Sequence, residues 1–487
     1  MSLKREFSVS FAARILQAAI HIGTTAVIAR LLTPHELGVF AIAMGVVMVM
    51  ESLRVFGIFA YLVRAPRLDA GLVRAGLGLS LLLSLALAAA IGAGAEPLAR
   101  FYADDGVALC LKILAANMLI APWPGLVQAL LQRARRYPAL AAVQTAGLLA
   151  GNAASILLVL AGWSYAALAI GMLVQSLVIL LIGLAARPEG FLWRPAFAGV
   201  KPLLAFGAQL TFAQLVQQLG ARAGELVLGR VQTLGIAAFY DKAGALARMV
   251  GMYVSPALAQ VLLPAFSAEL AAGARVEDVY LARLRAVTAL IWPLLAFLAL
   301  FAHPLIAILY GGQWLAAAPA ASLLALAGMA FLPFAVAQTL LVAAGRPGGV
   351  SAIQTVYQGL RILLVLLLAP FGLVAVALGE VLASLVYALV SQTVVVRVTG
   401  LRPRAILRAL LPSLGTLAAA ASAAGAVMLA IGYAPAIHPL AALVLGAAAT
   451  GAGALTGLAM TGHPLWREIR RRLKASRGSS VRGPDEA

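Results

Sequence analysis

The 487 residues are 63% hydrophobic and only 11% charged, with a mean hydropathy of +1.00, which excludes a soluble globular protein of this length and requires a lipid-embedded one. The formal charge of +19 does not indicate a nucleic-acid partner, because most Lys and Arg fall in short loops between apolar segments and in the tail. A single cysteine, Cys110, excludes an intrachain disulfide, and no Cys or His spacing suits a metal, so neither a metal nor a cofactor is expected.

At about 20 apolar residues per crossing, the first apolar stretch, 7–29, contains Arg14, Gln17 and His21. It is too long and too polar for a signal-peptide core and reads as a retained first helix. Further helices are predicted near 36–60, 73–95, 106–127, 140–161 and 164–186, completing an N-terminal lobe over 1–186. A basic connector, 187–202, leads to helices near 203–228, 235–262, 286–303, 316–343, 350–369 and 371–396, a C-terminal lobe over 203–397. Two extra helices near 409–431 and 439–460, in the segment 398–460, precede a basic tail over 461–487. The fold class expected is therefore all-α and polytopic, with about 14 crossings in two six-helix lobes plus two helices.

With the N-terminus placed in the cytoplasm, the loops and tails of that side hold most of the basic residues. The opposite loops hold only Arg30, Arg100 and Arg230. This asymmetry predicts an orientation with both termini in the cytoplasm. Loops on the far side are short, the longest around 303–319, so no extramembrane domain is large enough for catalysis and no catalytic residue is expected.

The lobes read as copies. ARLLTPHELGVFAIA from Ala29 lies on GRVQTLGIAAFYDKA from Gly229, LLQRARRYPALAAVQT from Leu130 on LLVAAGRPGGVSAIQT from Leu340, and LAIGMLVQSLV from Leu168 on VALGEVLASLV from Val376. Three matches in the same order at nearly constant offset point to duplication. An even number of helices per lobe makes the repeats parallel, as in transporters whose substrate site lies between halves.

Polar residues on these helices form stripes. Ser10, Arg14, Gln17, His21 and Thr25 share one face of the first helix; Gln214, Gln218, Arg222 and Glu225 share one of the seventh; Gln354, Gln358 and Arg361 share one of the eleventh. A charge at the centre of a membrane helix costs roughly 2.5–3.5 kcal/mol on insertion scales, so such stripes belong to a cavity rather than to lipid. The embedded bases are Arg14, Arg54, Lys112, Arg222, Lys242, Arg248 and Arg361, and the embedded acids Glu51, Glu225, Asp241 and Glu380. That balance implies an anionic cargo, and arginine suits phosphate through bidentate charge-assisted bonds. The candidate substrate-binding residues are Arg14, Arg54, Arg222, Arg248, Arg361, Gln17, Gln218 and Gln358, with Glu225, Asp241 and Glu380 as candidate ion-coupling groups. A structural alternative stands beside each: Arg54 at i+3 from Glu51 and Arg222 at i−3 from Glu225 are placed to form ion pairs, Arg14 and Lys112 to snorkel, His21 to pack, and Glu380 to hold a basic residue.

The segments ARLLTPHELGVFAIAMGVV, LVLGRVQTLGIAAFYDKAGALARM, VLLPAFSAEL and HPLIAILYGGQWLAAAP resemble the Wzx-type repeat-unit flippases of the multidrug/oligosaccharidyl-lipid/polysaccharide (MOP) exporter superfamily, over about residues 7–400. The resemblance implies two six-helix lobes, a V-shaped cavity, and translocation of undecaprenyl-diphosphate-linked oligosaccharide to the periplasmic leaflet for exopolysaccharide, capsule or O-antigen synthesis. It implies that Arg14, Arg54 and Arg248 are cavity arginines, that the bilayer and the lipid-linked oligosaccharide are partners, and that polymerase and chain-length machinery are candidate partners. Glu225 departs from relatives with Asp or Asn after a similar Arg-Ala pair. The rival readings are a cation-coupled multidrug exporter, which should show an acid-rich aromatic cavity, and a membrane-embedded polymerase or ligase of lipid-linked sugars, which should carry catalytic groups on a long far-side loop.

Overall fold

The computed structural model describes residues 3–55, 57–186, 188, 190–191, 194–197, 200–343, 346–432, 439–467 and 470–471. Ser10 by its side chain, part of the connector, and the tail beyond 471 lie outside the described residues. The described elements are all helical: α1 Leu3–Leu31, α2 Pro34–Val55, α3 Ile58–Arg64, α4 Ala70–Tyr102, α5 Asp105–Ile120, α6 Pro122–Arg133, α7 Tyr137–Leu160, α8 Ala166–Ala185, α9 Lys201–Val231, α10 Leu234–Ala271, α11 Val276–Leu300, α12 Ala302–Leu309, α13 Ala318–Phe331, α14 Ala335–Ala343, α15 Pro347–Leu368, α16 Leu373–Thr399, α17 Pro403–Gly432 and α18 Pro439–Met460. Short 3₁₀ turns cover Gly312–Ala317 and Ala369–Phe371.

Eleven spans among the described residues are long and apolar enough to cross a membrane, or twelve if α5 and α6, bent by 45°, count as one. Helices α9 and α10 overlie the two remaining expected crossings at 203–228 and 235–262. Both helices run over side chains outside the described residues, to which the count of eleven or twelve does not extend. Outward-facing leucines such as Leu157 at 66% and Leu389 at 68% exposure fit a bilayer, since they would be a liability in water.

Several expected single crossings are broken, each for a local reason. The crossing at 36–60 is divided into α2 and α3 at Gly57, which has φ 63°. The crossing at 106–127 bends at Ala121, where Pro122 and Pro124 supply no backbone N–H to the preceding turn. The stretch expected as a far-side loop at 303–319 forms α12 and a 3₁₀ turn, because its apolar residues Pro304, Ile306 and Trp314 are buried.

The chain forms two compact units. The first comprises residues 1–241 and 365–372. Its core joins Val39, Ile42 and Ala43 of α2 to Ile91 and Ala95 of α4, Leu111 and Leu114 of α5, and Leu234 and Ala237 at the start of α10. Thr33 and Glu36 form a capping box on α2, in which the Glu36 N–H donates to Thr33 Oγ1 at 3.3 Å and the Thr33 N–H to Glu36 Oε2 at 2.8 Å. A similar bond caps the start of α10, where the Ile236 N–H donates to Thr233 Oγ1 at 3.2 Å. Gly38 sits against the start of α10 so closely that a Cβ there would lie 2.0 Å from the Leu234 carbonyl oxygen. Helices α7 and α8 approach through small residues, with Gly151 against the Gly171 carbonyl. Part of the connector lies along α4: the Ala196 N–H donates to the Arg74 carbonyl at 2.9 Å, and Arg74 Nε to the Arg194 carbonyl at 3.3 Å.

The second unit comprises residues 242–364 and 373–487. Its core is built from Tyr280, Leu284, Val287 and Ile291 of α11, Leu340 and Leu341 of α14, Ile353 and Tyr357 of α15, and Ala383 and Tyr387 of α16. Helix α17 packs along both α11 and α18. Thr288 Oγ1 donates to Ser413 Oγ at 2.8 Å, a buried polar contact between α11 and α17.

Candidate functional site

The chemistry-bearing side chains lie on helices of membrane length, so the question for each is what offsets its charge. On α1, Arg14 and His21 are exposed, and Gln17 Nε2 donates to Thr145 Oγ1 of α7 at 3.0 Å. On α2, Arg54 is 6% exposed and binds Glu51 through Nε at 2.7 Å and through a second bond from Nη2. The third nitrogen, Nη1, is buried and has no hydrogen-bond partner among the described residues.

Helix α9 packs along α2 and presents Arg222 toward it. Arg222 Nη1 donates to both Glu225 oxygens, at 3.1 and 2.9 Å, and Nη2 approaches Met48 Sδ of α2 at 2.8 Å. Glu225 is fully buried, and Arg222 Nε is a second buried guanidinium donor without a partner among the described residues. Gln218 is half-buried on the same helix.

In the second unit, Arg248 of α10 is exposed and lies back over Gly244, where a Cβ would be 2.4 Å from Arg248 Nη1. Lys242, one residue into this unit, and Asp241, the last residue of the first unit's main segment, are half-buried. Arg361 of α15 donates through Nε to Glu380 Oε2 of α16 at 2.6 Å, and the Tyr357 hydroxyl donates to Glu380 Oε1 at 2.9 Å. Tyr357 packs within a triangle of rings with Phe331 and Tyr387, at centroid separations of 5.1 and 5.1 Å, the third side being 4.5 Å. Gln358 is 4% exposed, and its Oε1 and that of Gln354 are buried acceptors without partners among the described residues.

Three of the five candidate arginines thus carry a carboxylate within their own unit: Arg54 with Glu51, Arg222 with Glu225, Arg361 with Glu380. Lys112 also has one, Glu96 at 2.5 Å. Four of the seven embedded bases therefore carry a carboxylate partner, and Arg54 and Arg222 keep unfilled hydrogen-bonding capacity beside it. The described contacts do not join Arg54 directly to Arg222, nor Arg361 to Arg248. Sequence reasoning missed Tyr357 and Met48. Tyr357 had a signal, since it precedes Arg361 by four residues on one face of the helix; Met48 had none, because a thioether among apolar residues reads as core.

The family model described as polysaccharide biosynthesis protein matches residues 27–319. The chain is similar to the lipopolysaccharide biosynthesis protein WzxC of Escherichia coli (strain K12), 25% identical over 316 residues and covering 62% of each chain. It is similar to the teichuronic acid biosynthesis protein TuaB of Bacillus subtilis (strain 168), 26% identical over 303 residues and covering 60% of each. The chain spans about three fifths of the length of these curated relatives. Among solved structures, the lipid II flippase MurJ in an inward closed conformation shares the fold, with a TM-score of 0.75 at 12% identity over 92% of this chain and 98% of that one.

Proposed function

Because the chain belongs to the polysaccharide biosynthesis protein family, we propose that it is a transporter, not an enzyme: a flippase that moves undecaprenyl-diphosphate-linked oligosaccharide repeat units from the cytoplasmic to the periplasmic leaflet of a bacterial inner membrane. The single observation that supports an anionic head group is Arg54. It is buried on a membrane-length helix, Glu51 occupies two of its nitrogens, and Nη1 lacks a partner among the described residues. An unfilled guanidinium donor in a low-dielectric setting is a costly vacancy that a phosphate oxygen would fill. Arg222 Nε offers a second such donor.

In this reading a basic central cavity works by alternating access. Arg14 and Arg54 meet the diphosphate near the cytoplasmic mouth and Arg248 and Arg361 lie deeper, with Arg222, Gln17, Gln218 and Gln358 as further candidate contacts. The polyprenyl tail stays in lipid beside α17 and α18, whose exposed residues include Leu407, Leu411, Leu429, Val444 and Leu445. Both termini are cytoplasmic, and the basic residues concentrated on that side fit this orientation. Glu225, Asp241 and Glu380 are the candidate ion-coupling groups.

The test is deletion of the gene in its host, with mass spectrometry of lipid-linked oligosaccharides alongside surface polysaccharide. A complete repeat unit accumulating on the polyprenyl carrier, with loss of surface polymer, is the expected result. Unchanged lipid pools and polymer in a strain with no second flippase gene would overturn the proposal.

A further inference from the structure

Arg285 of α11 stands apart from the arginines paired above. It is half-buried, no carboxylate is bonded to it among the described residues, and its Nε is a buried donor without a partner there. Three helices meet around it. The Ser413 hydroxyl of α17 donates to the Arg285 carbonyl at 3.2 Å, which sets α11 and α17 side by side at this level. Helix α18 ends at nearly the same level, since a Cβ at Gly415 would lie 2.5 Å from Thr461 Cγ2. His463 follows and is 1% exposed. Its Nδ1 accepts from the Leu465 N–H at 3.2 Å, so in the neutral ring Nε2 carries the proton, and this donor faces the Arg285 backbone without completing a hydrogen bond.

The depth of this junction is that of lipid head groups. Arg285 stands immediately before the apolar run 286–303, Arg408 of α17 immediately before 409–431, and His463 shortly after 439–460. Trp466 comes next, half-buried, a residue type that marks the membrane–water boundary. On α17, Arg404 and Arg408 are exposed and share one face with the exposed Leu407, Leu411 and Leu414. Cations thus lie at the end of a face that hydrocarbon can cover.

We propose that this junction binds the phosphate of an acidic phospholipid, in the leaflet that the orientation given above makes cytoplasmic. Arg285 and His463 donate to phosphate oxygens, Arg404 and Arg408 flank the head group, and the acyl chains lie along the leucines of α17. The proposal goes beyond the cargo and does not depend on it. A half-buried guanidinium without a counter-charge is unfavourable until an anion arrives, and basic pockets between helix ends on this side of a membrane suit acidic head groups. The arrangement also selects. Helices α17 and α18 contain no Asp or Glu, and the acids of α11, Glu277 and Asp278, lie two turns nearer its start. Glu277 is bonded to Arg275 at 2.9 Å, and Glu269 to Arg283. Among the described residues no carboxylate stands at the junction to receive the ammonium of a zwitterionic lipid, and the cations repel it.

The test counts lipids bound to the full-length protein by native mass spectrometry in neutral detergent, titrating phosphatidylglycerol or phosphatidylcholine against wild type, Arg285→Gln and Arg408→Gln. A hydrogen bond to a charged group is worth roughly ten- to hundredfold in affinity and a flanking cation roughly fivefold. Wild type should hold one phosphatidylglycerol at least about tenfold more tightly than phosphatidylcholine; Arg285→Gln should lose at least about tenfold for phosphatidylglycerol and Arg408→Gln about fivefold, with phosphatidylcholine unchanged. Equal affinity of wild type for the two lipids would overturn the proposal. So would variants that melt earlier but keep the wild-type ratio between the lipids, the result expected of a purely structural Arg285. Should Arg285→Gln fold poorly, Arg404→Gln and Arg408→Gln, at exposed positions, carry the test, each with a loss of about fivefold. Farnesyl diphosphate and inorganic phosphate separate the sources of the phosphate. Displacement of phosphatidylglycerol by either at equal concentration would reassign the site to the cargo's head group or to free phosphate; retention of the phospholipid supports the proposal.

Discussion

Gly38 offers the most direct test of whether the contact between α2 and the start of α10 belongs to a moving closure. A methyl added there lies 2.0 Å from the Leu234 carbonyl oxygen, against about 3.3 Å for a comfortable carbon–oxygen contact. The two backbones must then part by about 1.3 Å, and backbone, unlike a side chain, cannot rotate out of the way. Overpacking of this kind costs roughly 1–3 kcal/mol. If α2 and α10 meet here in only one state of the transport cycle, Gly38→Ala shifts the equilibrium away from that state by roughly 5- to 150-fold. The assay is the reaction of an Ala237→Cys thiol with a membrane-impermeant maleimide. Ala237 is fully buried beside this contact, and the sole native cysteine, Cys110, is buried and is replaced by Ala for the purpose. The expected outcome is little labelling with Gly38, at least about fivefold faster labelling with Gly38→Ala, more with Gly38→Val, and transport reduced in the same order. Equal labelling rates and undiminished transport across the three would refute the reasoning.

Three further outcomes are expected. Glu225→Ala leaves the half-buried Arg222 without its carboxylate and lowers stability by roughly 3 kcal/mol, the low end for a broken buried pair, whereas Glu225→Leu with Arg222→Met restores thermal stability in nanodiscs without restoring transport; a stable single variant would contradict this. Arg133 Nη1 donates to the carbonyls of Leu62 at 2.8 Å and Ala65 at 2.7 Å at the end of α3, so Arg133→Ala should cost about 1–3 kcal/mol locally and speed amide hydrogen exchange over 58–69, while exchange in α7 stays unchanged. His463 is 1% exposed after the end of α18, and burial lowers its pKa. Being depressed in the folded state, it contributes stability above the unfolded value of about 6.5 that is lost as pH falls through the folded value. Thermal unfolding of wild type should therefore destabilise more steeply below pH 6.5 than that of His463→Asn.

The hydropathy of the chain is enough to place its helices because each crossing is a long apolar run, as with 140–161 inside Tyr137–Leu160 and 73–95 inside Ala70–Tyr102. The breaks at Gly57 and Ala121 are less legible, since a few residues of altered backbone do not disturb an average over twenty. The same contrast holds for the charges. Arg54 with Glu51 and Arg222 with Glu225 are visible as i, i+3 spacings. Arg361 with Glu380 spans two helices and depends on how α15 lies on α16, which periodicity along one helix does not encode. The paired state of these arginines also changes the meaning of a raw count of embedded bases: a surplus along the sequence becomes, in space, a small set of unfilled donors.

The connector carries a different kind of consequence. Because Ala196 and Arg194 are hydrogen-bonded to Arg74, and a Cβ at Gly78 would lie 2.1 Å from the Ala196 carbonyl oxygen, this part of the linker is a suture on α4 rather than slack rope. A chain cut upstream of Arg194 and expressed as two fragments leaves the suture on the C-terminal piece, where it serves as a docking tag for the N-terminal one. A cut a few residues downstream removes that tag. Since α9 and the start of α10 stay packed on the first unit's helices after either cut, two adjacent scissions in one short linker should differ in how tightly the halves rejoin.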